Sequence, residues 1–322
     1  MKDRAVAVAL TAFVAAFNPL TAAAQQPDKP VRILVPFAPG GGTDIQARVL
    51  STAFNKSTGL NYVVDNRTGA GGLIAAQLVV DSPPDGNTIL FTSGSISVVV
   101  TLYAKRMTFD LERDLMPISW ISSTPLVLTV HPSVPAKSVK ELVALAKQRP
   151  GVFNVAGNTA GSTSHLTAEM LNQVAGLKTT VLNYRGGGPA VLALVSGEAD
   201  YIFATAPSIM PFLKQGRARA LAVTTPKRSS ALPDLPTMNS IYPGFESDNW
   251  YAMFFPKGTP KATVDKMNAE IRKALQTQEV KTFMPREALD PVGSSPEELA
   301  ALLKREIPKY AKVIKFAHVR LD

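Results

Sequence analysis

Short apolar runs rich in β-branched residues alternate along this chain with segments of helical periodicity. Val31–Val35 has a strand pattern. It runs into Pro39-Gly-Gly-Gly-Thr-Asp44, after which Ile45, Val49, Leu50 and Phe54 mark a helix near 43–57. Residues 61–65 read as a strand, about 70–80 as a helix, and 87–91 as a strand after the Asp85-Gly86 turn. Residues 126–130 are a further apolar strand. Ser138-Val-Lys-Glu141 is a capping box, in which hydroxyl and carboxylate serve free backbone N–H groups. It opens a helix to about residue 148, which Arg149-Pro150-Gly151 stops. A strand at 152–156, a helix at 162–174, a strand at 179–183 and a helix at about 189–196 follow. Strands at 200–203 and 218–223 then flank a helix near 207–214. This strand–helix rhythm predicts an α/β fold with parallel sheets covered by helices.

The rhythm breaks between Thr225 and Phe245, where Pro226, Pro233, Pro236 and Pro243 leave few periodic apolar positions; this segment is a connector. A strand resumes at 250–255. Thr259-Pro260 opens a helix with an apolar face of Val264, Met267, Ile271 and Leu275. Ser295-Pro296-Glu297-Glu298 opens a long helix through Leu299, Leu302, Leu303, Tyr310, Val313 and Ile314, which Pro308 is expected to kink or divide.

The N-terminus carries a different pattern. Lys2 and Arg4 precede an apolar run from Ala5 to Ala16, and Ala22-Ala23-Ala24 comes before Gln25. This is the layout of an export signal cleaved near Ala24, so a periplasmic product is expected. The run is short and interrupted by Asn18 and Pro19, unlike a membrane span. The chain has no cysteine, which excludes disulfides, thiolate metal sites, cysteine nucleophiles and a lipid-modified N-terminal Cys. The remaining roughly 300 residues are enough for two lobes. Net charge is +9, of which Lys2, Arg4 and Asp3 contribute +1. That balance favours anionic ligands. The basic residues are scattered and not interleaved with aromatics, which argues against nucleic acid. Three histidines without a His-x-x-x-His pair give no metal site.

The chemistry-bearing feature is the glycine turn. A strand that feeds a glycine turn and then a helix aims free N–H groups at one point, where the helix dipole adds positive charge. No Gly-Lys-Ser/Thr follows, and Gly-x-Gly-x-x-Gly is incomplete, so the turn is an anion cradle without a nucleotide signature. No Gly-x-Ser-x-Gly elbow occurs; the nearest pattern centres on Thr159 between Gly157 and Gly161. Neither a catalytic residue nor a cofactor is assigned.

Several segments together resemble the solute receptors of the tripartite tricarboxylate transporter family, the Bug-type receptors. They are Lys29-Pro-Val-Arg-Ile-Leu-Val-Pro-Phe37, Pro39-Gly-Gly-Gly-Thr-Asp44, Asp65-Asn-Arg-Thr-Gly-Ala-Gly-Gly72, Pro84-Asp-Gly86, Val130-His-Pro-Ser-Val-Pro135, Gly161-Ser-Thr-Ser-His-Leu166, Tyr184-Arg-Gly186, Leu221-Ala-Val223 and Leu232-Pro-Asp-Leu-Pro-Thr237. The resemblance implies a type II periplasmic-binding-protein fold. Lobe 1 would comprise residues 25–128 and 240–322 and lobe 2 residues 129–239, with crossovers near 125–131 and 224–250. It implies a ligand cleft between the lobes that holds a carboxylate through backbone amides, hydroxyls and water, with no obligatory arginine clamp.

On that basis the candidate ligand residues are Phe37, Gly40, Gly41, Gly42, Thr43, Asp44, Ala70, Gly71, Ser93, Ser95, Thr159, Ser162, Thr163, Tyr184, Arg185, Gly186, Ala204 and Thr205. Some have alternative roles. Asp44 can complement the helix dipole, Ser162 can cap its helix, Arg185 can be a surface charge, and Gly69 to Gly72 can be a packing turn. His165 reads as a structural histidine and His131 as a hinge residue. Many relatives carry Asp where Ala204 stands, so a ligand ammonium group lacks a partner there. The expected ligand is a non-amino dicarboxylate or an aromatic acid. The expected partner is the transporter's membrane permease or a membrane sensor; a periplasmic hydrolase is the remaining alternative. The protein is expected to be a monomer.

Overall fold

The computed structural model describes residues 29–316, so the expected leader lies outside the described residues. The first stretch contains β1 (Val31–Val35), α1 (Gly42–Thr58), β2 (Tyr62–Asn66), α2 (Leu73–Val80), β3 (Thr88–Ser93), α3 (Ser95–Leu102), the one-turn α4 (Leu111–Asp114) and β4 (Leu115–Val130). The middle stretch contains α5 (Val139–Gln148), β5 (Asn154–Gly157), α6 (Thr163–Ala175), β6 (Thr180–Asn183), α7 (Gly187–Ser196), β7 (Tyr201–Thr205), α8 (Ala206–Lys214) and β8 (Arg219–Val223). The chain ends with β9 (Asp248–Pro256), α9 (Lys261–Gln276), α10 (Gln278–Arg286), β10 (Asp290–Pro291) and α11 (Pro296–Phe316).

One curled sheet runs β2-β1-β3-β9-β4-β7-β5-β6, with β8 and β10 also on β4. β4 joins the two lobes. Its residues 115–125 pair antiparallel with β9, and residues 126–130 lie between β7 and β8. Parallel β2-β1-β3 completes the sheet of one lobe, and parallel β7-β5-β6 that of the other.

The strands read as continuous apolar runs because both faces of each sheet are covered. Ile33, Val35, Tyr251, Met253 and Phe255 pack under α1 and α9. Leu34, Trp250, Ala252 and Phe254 face the other way, against α2 and α11. The second lobe repeats this arrangement, with Phe203 in one layer and Ile202 and Ala204 in the opposite one. The α/β, two-lobed expectation agrees with this architecture.

Only residues 126–130 of β4 are apolar enough to read as a strand. The rest is extended because buried hydroxyls find fixed partners. Ser119 donates to the Ser294 carbonyl at 2.8 Å, Ser122 to Gln46 Oε1 at 2.6 Å and Thr124 to the Ala288 carbonyl at 2.9 Å. α11 runs through Pro308 undivided. Leu302 and Leu303 before Pro308, and Tyr310 and Ile314 after it, are all buried on the lobe, and this packing outweighs one lost backbone bond.

The chain changes lobes at Pro125–Leu126 and again between Thr224 and Asp248. Both passages are tied together. Leu126 N–H donates to Thr224 Oγ1 at 3.0 Å, Thr224 N–H to the Leu126 carbonyl at 3.0 Å, and Ser247 N–H to the Thr224 carbonyl at 3.1 Å. His131 lies beyond the end of β4 in the second lobe, where its N–H donates to the Asp200 carbonyl.

Candidate functional site

Five strand-to-helix turns converge where the lobes meet. The β1–α1 and β3–α3 turns come from one lobe, and the β5–α6, β6–α7 and β7–α8 turns from the other. They enclose a cavity of about 20 Å³. Gly41, Gly42 and Thr43 supply the N-terminus of α1, Ser95 that of α3, Ser162 and Thr163 that of α6, Gly187 that of α7 and Thr205 that of α8. Phe37, Ser93, Asn158 and Asn249 complete the wall. None of these lining residues carries a charge. Five helix N-termini, each with a partial positive charge, therefore face one small volume that no charged side chain lines; the Asp44 carboxylate, in the first turn of α1, lies outside that lining.

The hydroxyls are set by the backbone they serve. Ser162 Oγ accepts from His165 N–H at 3.2 Å and Thr159 N–H at 3.4 Å, which caps α6 and leaves its own hydrogen to donate. Ser95 Oγ accepts from Thr163 N–H across the lobes at 3.2 Å, and Thr163 Oγ1 donates to Asn249 Oδ1 at 3.2 Å. Thr205 Oγ1 lies 3.0 Å from Ser208 Oγ. One buried polar atom of the lining, Asn158 Oδ1, has no partner. The buried Tyr251 hydroxyl lies beside Gly42, close to Asn249, Thr205 and Gln46. Burial pushes the Tyr251 phenol up to about 12, so it remains an O–H donor at neutral pH.

Asp44 is buried behind the turn. Its carboxylate accepts from Gly40 N–H at 3.0 Å, from Arg48 at 3.0 and 2.8 Å and from Asn66 Nδ2 at 3.0 Å. It holds the glycine turn against α1 and does not line the cavity. Among the other candidates outside the lining, Gly40 has φ +82° and continues the turn. Gly71, with φ +66°, packs against Val99 and the Ala160 carbonyl, while Ala70 is exposed. Thr159 donates to the Asn158 carbonyl. Tyr184 donates to Glu198 at 2.7 Å, away from the cavity. The Arg185 side chain is exposed, and its carbonyl accepts from Ala38 N–H of the opposite lobe at 3.0 Å. Gly186 caps α7, and Ala204 is buried in β7 beside Val127.

His165 Nδ1 accepts from Gly161 N–H at 2.9 Å, and burial lowers its pKa to about 4. It is a neutral strut for the β5–α6 loop. Three lining residues were not singled out from sequence. Asn158 and Gly187 sit inside turns that were recognised. Asn249 follows the second crossover, and nothing local marks it.

The profile of the tripartite tricarboxylate transporter family receptor, TctC, matches residues 46–318. The chain belongs to that family. It is 34% identical to the protein BugT of Bordetella pertussis, covering 92% of this chain and 91% of BugT. Among solved structures, an R. palustris protein with adipate superposes with a TM-score of 0.88 at 32% identity, covering 92% of this chain and 99% of that one. MatC of Rhodopseudomonas palustris with bound malate gives 0.84 at 29% identity, covering 89% of this chain and 99% of that one. The fold is thus that of periplasmic solute-binding proteins, and the cavity lies between the two lobes of such a receptor.

Proposed function

We propose that this chain captures a small carboxylic acid without an ammonium group in its interlobe cleft and delivers it to the membrane permease of a tripartite tricarboxylate transporter. One observation carries the reading: five helix N-termini meet at one cavity whose lining is uncharged. A carboxylate supplies the missing negative charge. An ammonium group would meet five like partial charges and no carboxylate. The adipate- and malate-bound relatives support the same ligand chemistry. Capture takes place in the periplasm, after removal of the leader near Ala24. No helix of the described residues is long and apolar enough to cross a membrane.

A cavity of about 20 Å³ holds roughly one water. A carboxylic acid therefore enters only when the lobes part. The tied crossovers at Leu126, Thr224 and Ser247 are the hinge in this proposal, with the lobe of β1–β3 and β9 moving against the lobe of β5–β8.

A thermal-shift screen tests the reading. At ligand concentrations near 100 Kd, a carboxylate that binds only the folded state adds about 2.7 kcal/mol, enough for a shift of several degrees. The corresponding amides and α-amino acids should produce none. Tight binding of an uncharged solute, with all carboxylates inert, would refute it. Replacing Ser162 by Ala together with Thr163 by Val should weaken the best acid at least about tenfold, because charge-assisted hydrogen bonds contribute about 1.5–3 kcal/mol each. Ser162→Ala also removes a helix cap worth about 1 kcal/mol, so affinity is compared below the variant's melting range.

A further inference from the structure

An apolar recess of about 420 Å³ lies on the outside of the seam between the lobes. The backbones of Gly40–Gly41 and Gly187–Gly188, in contact, seal it from the polar cavity. Pro39 and Ile45 of one lobe and Val191, Leu192 and Phe212 of the other line it, and no charged side chain does. It is open to solvent, with Leu192 59% exposed. Each wall belongs to a different lobe, so the recess is one continuous surface only while the lobes are closed.

The recess is rigid and its rim is basic. Pro39, Pro189, Pro207 and Pro211 line it, each with φ fixed by its ring. Proline has no rotamer freedom to lose when covered, so a partner that settles here meets a small ordering cost. Three exposed arginines surround the recess, each linked to its lining. The Arg217 guanidinium stands 5.4 Å over the Phe212 ring. The Arg185 carbonyl accepts from Ala38 N–H. Arg48, one turn after Ile45, binds the Asp44 carboxylate that holds Gly40. The β1–α1 turn, α1, α7 and α8 contain one carboxylate among them, Asp44, and it is buried. An exposed apolar surface rimmed by polar groups marks an interaction site, and here the rim specifies an acidic partner.

Resting on the delivery proposed above, we infer that the closed receptor docks on the membrane permease through this recess, and that the permease presents an apolar side chain flanked by Asp or Glu. The apolar side chain fills the recess, and its acidic neighbours meet Arg185 and Arg217. A partner that touches both walls gains its full contact from the closed form alone, so the loaded receptor is selected over the open, empty one. A second copy of this chain fits less well, because a two-fold contact would set one basic rim against another.

Right-side-out membrane vesicles from the native host, given purified receptor and tritiated malate, adipate or benzoate, test this. Uptake should rise with receptor concentration to a plateau. Leu192→Asp puts a charge into the recess and should raise the half-saturating receptor concentration at least about tenfold. Arg217→Glu should raise it about threefold at low salt, and the difference should shrink as salt is added. Both variants should keep the wild-type Kd for the acid by calorimetry, since neither residue lines the polar cavity. A photo-crosslinking side chain at position 192 should label the multi-span permease only when the acid is present. The same group in place of Val152, 61% exposed before the end of β5 remote from the cleft, should not.

Equal half-saturation for wild type and Leu192→Asp would overturn the inference and leave the carboxylate and delivery readings standing. Failure of the vesicles to import any acid that the receptor binds would remove the delivery reading, and the inference with it. Crosslinking from position 192 to a second copy or to a membrane sensor would overturn the inference. So would equal binding to vesicles with and without the permease, because the rim would then be reading anionic lipid.

Discussion

Gly188→Ala is expected to leave both lobes folded and to prevent them from closing. Gly188 is the second residue of α7, and its φ is not positive. Within the helix, Ala is preferred to Gly by about 0.8–1 kcal/mol, so the second lobe taken alone should gain stability. In the closed molecule a Cβ at this position overlaps the Pro39 carbonyl oxygen and stands 3.2 Å from the carbonyl carbons of Pro39 and Gly40. These are backbone atoms of the other lobe, with no side chain to rotate away. Overpacking of this kind costs about 1–3 kcal/mol. The cost falls only on the closed form, which is the form that engages the ligand from both sides. Affinity should therefore drop about 10- to 100-fold, at about 1.4 kcal/mol per tenfold change. Gly41→Ala, whose Cβ would stand 3.3 Å from Gly187 N, should show a smaller loss. Calorimetry with the acid found by thermal shift reads the affinity, and small-angle scattering reads the shape. Wild type should become more compact with ligand, while Gly188→Ala should remain extended at an unchanged or slightly raised melting temperature. Equal affinities in wild type and both variants would show that the glycine contact does not control closure.

The same glycine contact shows where sequence reasoning was strong and where it stopped. The glycine turn after β1, the hydroxyls at the start of α6 and the connector after β8 are local signals, legible because a cap, a turn or a proline cluster leaves its mark within a few residues. What the Gly187-Gly188 pair meets is not local. Its requirement for glycine comes from Pro39 and Gly41, nearly 150 positions earlier and on the other lobe. Asn249 shares this difficulty, since it reaches the cavity only because β9 returns beside β3 and β4. α3 is a case of conflict. Its Ser-Ile-Ser-Val-Val-Val sequence has strand-forming residues, yet it is helical, with Val98 and Val99 buried in separate apolar clusters. Tertiary burial outweighs a propensity difference of a few tenths of a kcal/mol per residue. Asp44 was legible in half. Arg48 at i+4 is visible in the sequence, but the bonds to Gly40 and Asn66 that fill the remaining carboxylate positions are not.

Asp44→Asn should consequently damage both stability and binding. The carboxylate receives Gly40 N–H, two Arg48 nitrogens and Asn66 Nδ2. An amide in its place turns an NH₂ group toward donors. Arg48 is half exposed, so its charge remains solvated when the pair is broken, which keeps the loss below that of a fully buried pair. About 1–3 kcal/mol is expected from the misplaced hydrogen bonds. The glycine turn then loses its anchor and the acid binds more weakly. Burial alone would raise the Asp44 carboxyl pKa, but the bonds from Arg48, Gly40 and Asn66 outweigh it and hold the group below its ordinary value. The folded protein therefore binds this proton less readily than the unfolded chain. The stabilisation is complete above the unfolded value of about 3.9, and it is lost as pH falls through the lower folded value. His165, depressed by burial to about 4, gives wild type and variant alike an earlier loss as pH falls below about 6.5. Urea unfolding between pH 3 and 8 should thus show a wild-type advantage over Asp44→Asn that is constant above about pH 5 and shrinks below about pH 4. An advantage that stays the same down to pH 3 would mean that the ionised Asp44 carboxylate does not hold the turn.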